Sequence, residues 1–165
     1  MYCKTCGNEI GEKALYCPDC GTKQVPVYTK IFKRDKMSET EFIEEINTWF
    51  NSHTNAINIS CNIDTKNSFG LLVNKYKLKQ ITIKYEMSES PCLNQYCFVK
   101  ESKYTLFEKK VENYVAEWEK ANSNVEIVTW HGGSHMRGQL ESFFLKGFGA
   151  FNRVTAYILF KYPRT

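Results

Sequence analysis

The stretch YCKTCGNEIGEKALYCPDCGTKQ, residues 2–24, decides how the chain begins to fold, because it holds Cys3, Cys6, Cys17 and Cys20 as two CxxC pairs separated by ten residues. Each pair predicts a tight turn that points both sulfurs inward. Two such turns facing each other supply the tetrahedral thiolate cage that Zn2+ prefers, with Zn–S near ~2.3 Å. Gly7 and Gly21 each follow the second cysteine of a pair, where glycine permits a left-handed turn that aims backbone N–H groups at a sulfur. A disulfide inside a pair would close a strained small ring, so metal is the stronger reading. Four sulfur ligands leave no vacant position for water or substrate, which makes the expected ion, one Zn2+, structural rather than catalytic. A segment this short buries too little apolar surface to fold unaided, so metal binding, worth on the order of 10 kcal/mol or more, would be its folding energy.

With two CxxCG knuckles around a spacer that carries Ile10, Ala14, Leu15 and Tyr16, the stretch resembles the short zinc ribbon found at the start of many bacterial and archaeal proteins. The resemblance covers residues 2–24 only. It implies a zinc-stabilised interaction module and names no partner. Iron is the competing metal, since rubredoxin-like sites also use two knuckles, one often reading CPxCG as residues 17–21 do, but across a longer spacer.

The chain of 165 residues has room for this module and one ordinary domain, and its 42% hydrophobic and 15% aromatic content excludes a disordered polymer. No succession of charged, apolar and small residues resembling a signal peptide opens it, and its longest apolar run is too short to cross a bilayer. The expectation is a reduced, cytoplasmic protein, which suits thiolate ligands. The formal net charge is +4. Four thiolates and one Zn2+ lower that by two, leaving only a weak general attraction to nucleic acid.

Residues 25–37 read as a basic linker carrying Lys30, Lys33, Arg34 and Lys36 against Asp35. It is a solvated tether or a phosphate-contacting arm, unless Ile31 and Phe32 open the next domain as a strand. Ser38 and Glu41 form a capping box and Met37 and Phe42 a hydrophobic staple, so a helix starts there with Phe42, Ile43, Ile46, Trp49 and Phe50 on its apolar stripe. His53 ends it. Residues 55–64 alternate, with Ile57, Ile59, Cys61 and Ile63 expected on one buried face. Residues 80–87 alternate again with Ile81, Ile83, Tyr85 and Met87 inward. Lys75, Lys77 and Lys79 share that parity, and burying them is untenable, so the expectation is a bend or bulge near residues 78–80, or a strand that starts late. The three lysines blunt a sheet edge or contact nucleic acid.

Residues 95–100 read as a third strand holding Cys97, with Cys92 just before it; without histidines nearby the two make a poor second metal site. Thr105 and Glu108 suggest a capping box for a second helix running to Ala121, with Phe107, Val111, Tyr114, Val115 and Trp118 buried. Residues 125–130 and 154–162 read as further strands, the last with Val154, Ala156, Ile158, Phe160 and Tyr162 on one face. Between them, residues 131–149 are glycine-rich and hold His131, His135 and Arg137, a ligand loop if those side chains converge and otherwise a hairpin. No phosphate-loop pattern appears. A short strand at 140–145 is possible, and no internal repeat or low-complexity tract stands out.

The expected architecture is α+β: a zinc ribbon at 1–24, a basic linker at 25–37, and at 38–165 a mostly antiparallel sheet with two helices on one face. The expected function is a zinc-binding, non-enzymatic adaptor or regulator that binds a protein partner. Two alternatives stand beside it. One is nucleic-acid binding through Lys33, Arg34, Lys36, Lys75, Lys77 and Lys79. The other is an enzyme built on His131, His135 and Arg137, with Glu141 as a further participant.

Overall fold

The computed structural model describes residues 2–11, 14–68, 75–105, 110–136 and 152–163. After the cysteine segment come β1 (Val27–Lys33), α1 (Glu39–Ser52), β2 (Ala56–Ser68), β3 (Lys75–Met87), β4 (Asn94–Thr105), α2 (Val111–Ala121), β5 (Glu126–Met136) and β6 (Asn152–Pro163). The fold is α+β and its sheets are antiparallel. The described residues form two of them, ordered β1-β3-β2 and β4-β6-β5.

The first sheet includes residues from the stretch read as linker, since Val27–Lys33 pairs with β3 along its whole length. Its inner face carries Phe32, Ile59, Ile63, Ile81 and Ile83, packed on Phe42, Ile46, Trp49 and Phe50 of α1. Two irregularities set which side chains face in. Between Asp64 and Thr65 the β2–β3 register shifts, with Gln80 opposite Asp64 and Leu78 opposite Thr65. The skipped residue is Lys79. Parity flips there, so Leu78 is buried while Lys77 and Lys79 stay in water, and of the outcomes the lysine parity allows the chain takes the bulge. The second irregularity, between Ile57 and Ser60, contains Asn58 at φ 50°. It corrects the expected face of β2: Ala56 is buried, whereas Ile57 lies opposite Glu86 on the outer side, because two residues there span one on β3.

The second sheet is centred on β6, whose residues Val154, Thr155, Ala156, Tyr157, Ile158 and Leu159 are at most 2% exposed. The expected face, Val154, Ala156 and Ile158, meets Val111, Tyr114 and Val115 of α2. Its opposite face, with Tyr157 and Leu159, joins the core shared with α1 and the first sheet. A strand covered on both sides has no polar face to keep, which is why simple alternation describes only half of β6. Consequently α1 lies in the core common to both sheets, and α2 covers the far face of the second.

The helix boundaries contrast. At α1 the capping box forms as read: Glu41 N–H donates to Ser38 Oγ at 3.2 Å and Ser38 N–H to Glu41 Oε2 at 2.7 Å. At α2 the expected start is corrected to Val111 with Lys110 as N-cap. Thr105 is a β4 residue paired with Asn152, so sheet pairing overrides the local capping motif. The expected Phe107 and Glu108, and the possible strand at 140–145, lie outside the described residues.

Candidate metal centre

The two cysteine knuckles follow one local plan. In the first, Cys3 N–H donates to Asn8 O (2.8 Å) and Gly7 N–H to Cys3 O (3.0 Å); in the second, Cys17 N–H donates to Thr22 O and Gly21 N–H to Cys17 O, both at 2.9 Å. Single antiparallel bridges close them, Tyr2 with Glu9 and Tyr16 with Lys23. Gly7 and Gly21 adopt φ of 77° and 68°, a turn that a Cβ would oppose. Tyr2, Cys3, Cys6 and Gly7 thus correspond to Tyr16, Cys17, Cys20 and Gly21 at one constant offset. This is a short internal repeat that the sequence reading passed over, because the residues between the shared positions differ.

The four sulfurs lie within 4.8 Å of one another, with Cys3 Sγ 3.5 Å from Cys20 Sγ and Cys6 Sγ 3.6 Å from Cys17 Sγ. A tetrahedron of sulfurs around zinc has edges of about 3.8 Å, given Zn–S near ~2.3 Å. The cage therefore has the dimensions and donor set for one such ion. Cys3 and Cys17 are buried beside Ile10 and Ala14, while Cys6 and Cys20 face solvent.

Polar groups around the sulfurs favour thiolates unevenly. Hydrogen bonds from the backbone of Cys6 and Thr5 are the main reason the Cys3 thiol is lowered to about 6. The Thr22 hydroxyl, 3.2 Å from Cys20 Sγ, is the largest of the influences that lower Cys20. At Cys6 the backbone of Asn8 pulls downward, yet burial and the crowd of Cys3, Cys17 and Cys20 prevail and the thiol stands at about 12. Four sulfurs this close do not all ionise without a cation among them, and a bound divalent ion reverses that balance. Gln24, which sequence reading did not single out, is 4% exposed and donates its amide to Cys3 Sγ (3.4 Å) and to Thr22 O (3.0 Å). A donor that bonds the sulfur from outside the cage in this way orients a metal ligand. Its counterpart in the first knuckle is Ile10, so no pattern in the sequence marks it.

The cysteine segment is tied to the first sheet by Lys4 Nζ, 2.6 Å from Glu86 Oε1. Glu86 also accepts from Asn58 Nδ2 at 2.6 Å. These two bonds, Lys4 first, hold its carboxyl below the usual range. Asn58 reaches Glu86 from within the β2 bulge. Lys23 pairs with Glu89 at 2.8 Å on the surface.

Of the other candidate residues, the two basic segments meet where β1 runs beside β3, with Lys33 opposite Gln80 and Arg34 N–H donating to Lys79 O, whereas His131 stands on β5. Lys33, Lys36, Lys77 and Lys79 are exposed, and Lys75 opens β3 opposite Ser68. Arg34 is engaged internally, donating to Glu39 Oε1 and Leu78 O at 3.2 Å each. Glu39 also accepts from Leu78 N–H (3.0 Å), from Tyr157 O–H (2.6 Å) and from Lys100 Nζ. This cluster closes the sheet where β1 ends, since Glu39 and Arg34 take up the N–H and C=O of Leu78. It also links α1 to both sheets. Burial pushes the Glu39 carboxyl up, but the bonds from Lys100, Tyr157 and Leu78 outweigh it and the net shift is downward. Burial, then the Glu39 carboxylate, push Tyr157 the opposite way.

Residues 131–136 correct the glycine-loop reading, because they are the second half of β5 and pair with residues 157–152 of β6. A Cβ on Gly132 would stand 2.5 Å from Thr155 O and 2.8 Å from Val111 Cγ2, so close packing, not a turn, requires glycine there. His131 and His135 are four residues apart on this strand, about 13 Å between their backbone positions. His131 stacks on Tyr76 and lies 3.1 Å from Thr65 Oγ1. Arg137 and Glu141 lie outside the described residues. Cys61 is half-buried and its thiol is pushed up to about 12 by burial, as suits a packing residue, and His53 stacks on Trp49 at the end of α1.

No family model, curated protein or solved structure matches the chain. No helix among the described residues is long and apolar enough to cross a membrane.

Proposed function

We propose that the chain is a non-enzymatic adaptor of the cytoplasm. One Zn2+ held by Cys3, Cys6, Cys17 and Cys20 folds a ribbon at residues 2–24, and the ribbon with its α+β body binds a protein partner. The observation that carries this reading is the closed cage: four sulfurs within 4.8 Å fill every corner of a tetrahedral site and leave none for substrate. Tyr2, Leu15 and Tyr16, which are 71%, 61% and 59% exposed, add apolar surface of the kind that interaction modules present.

Elemental analysis of freshly purified chain is expected to find close to one zinc per molecule and little iron. Intact chain is expected to retain a protein from native lysate that a Cys6→Ser chain retains poorly. Absence of metal, with residues 2–24 still rigid by NMR, would overturn the zinc assignment, and equal retention by both chains would remove the ribbon from binding.

A further inference from the structure

The outer edges of the two sheets are treated differently. Along β4, the Asn47 amide of α1 donates to Phe98 O (2.9 Å) and accepts from Phe98 N–H (2.8 Å), occupying the place of a neighbouring strand. Gln95 bonds Asn51 one turn on. β2 and β5 approach each other, with Thr65 reaching His131. Among the described residues β1 pairs only with β3, and every residue of β1 except Phe32 is exposed.

The register defines what this edge offers. Arg34 N–H donates to Lys79 O at 2.9 Å, continuing the β1–β3 ladder by one residue. Inward and outward backbone groups alternate in an antiparallel pair. Tyr28, Lys30 and Phe32 therefore direct N–H and C=O toward β3, and Val27, Thr29, Ile31 and Lys33 direct theirs to the open edge. Val27, Ile31 and Tyr28 are 55%, 49% and 43% exposed beside it. Lys30, Lys33, Lys36 and, opposite Thr29, Lys84 are exposed as well.

We propose that the β1 edge is a docking site for an extended segment of a protein partner, with alternating apolar residues and carboxylates, which adds to the first sheet as a fourth strand. This rests on the adaptor reading and names its surface and the chemistry of its partner. A strand satisfies both the donors and the acceptors of the edge, whereas a phosphate backbone supplies acceptors alone and leaves the outward carbonyls unmatched. Acidic side chains answer the lysines, while a second copy of this chain would bring the same cationic strip against itself.

The test selects peptides from a displayed random library on full-length, zinc-loaded chain and measures the affinity of the enriched ones by fluorescence anisotropy. They are expected to alternate apolar and acidic residues. Thr29→Pro deletes one outward N–H and spares the β3 ladder; it should weaken binding about tenfold while thermal unfolding stays where it was. Lys30→Glu combined with Lys33→Glu should weaken binding by a similar factor. Peptides indifferent to both variants overturn the proposal. So does a single-stranded RNA oligonucleotide whose binding falls with the lysine reversals but not with Thr29→Pro, or a dimer of the chain that Thr29→Pro dissolves. A partner retained from lysate equally by wild-type and Thr29→Pro chains overturns the edge and leaves the adaptor reading standing. Failure of the wild-type chain to retain any protein overturns the adaptor reading itself.

Discussion

In residues 2–24 the buried apolar set is Cys3, Ile10 and Cys17 with Ala14 beside them, whereas in the body Phe42, Ile46, Ile81, Phe98 and Tyr157 are withdrawn completely from water. Each such body side chain contributes about 1.5–3 kcal/mol by leaving solvent. The cysteine segment has no comparable store. Two of its four sulfurs face water, and its two knuckles are each held by a few backbone bonds. The difference teaches that one region is organised around a prospective ion and the other around burial, so different reagents should dismantle them.

The largest effect expected is from metal removal. A strong chelator, or Cys17→Ser, withdraws binding energy of about 10 kcal/mol or more from residues 2–24. Their amide signals should collapse toward random-coil positions while those of α1 and the sheets keep their dispersion. Loss of both regions together would break the comparison, because it would make the body depend on the ion.

A middle-sized effect belongs to the polar cluster inside the body. Tyr157→Phe leaves the Glu39 carboxylate without its O–H donor and should cost about 1–3 kcal/mol in chemical denaturation, with metal content unchanged. Glu39 is held below its usual range in the folded chain. Its contribution is therefore complete above the unfolded-state value of about 4.3 and is lost as pH falls through the lower folded value. Body stability measured against pH should decline on that acidic limb, and Glu39→Gln should flatten the decline. A Glu39→Gln profile parallel to wild type would remove the cluster as its cause.

The smallest effect concerns the joint between the regions. Lys4→Ala leaves Glu86 with Asn58 as its remaining side-chain partner and should cost at most about 1 kcal/mol, as exposed lysine pairs do. Its sharper readout is coupling: the relative tumbling of the two regions by NMR relaxation should become more independent. Unchanged tumbling would show that contacts other than Lys4 with Glu86 set the joint.

The legible parts of this chain are those whose physics is local. Paired CxxC turns need nothing distant to point sulfurs together, and Ser38 and Glu41 cap α1 with their own neighbours. The parity of Lys75, Lys77 and Lys79 narrows this part of β3 to a bend, a bulge or a late start, since burying three unpaired cations is costly, and the structure has the bulge. Readings failed where a distant strand intervened. Thr105 carries a capping pattern but faces Asn152 across β4 and β6, and HGGSH looks like a turn until β6 and Val111 close over Gly132. Ile57 shares the parity of Ile59, yet Asn58 turns it to the other side of the sheet.

By itself, then, the amino-acid order determined the cysteine cage, the first helix and the antiparallel α+β character, because ligand spacing, capping and side-chain period act over a few residues. Only the tertiary structure decided that β6 is buried on both faces, that Arg34 answers Glu39 rather than solvent, that Gln24 supports Cys3, and that β1 pairs with β3 alone among the described residues. Each depends on what is brought beside a residue from far along the chain, and no local pattern encodes that neighbour.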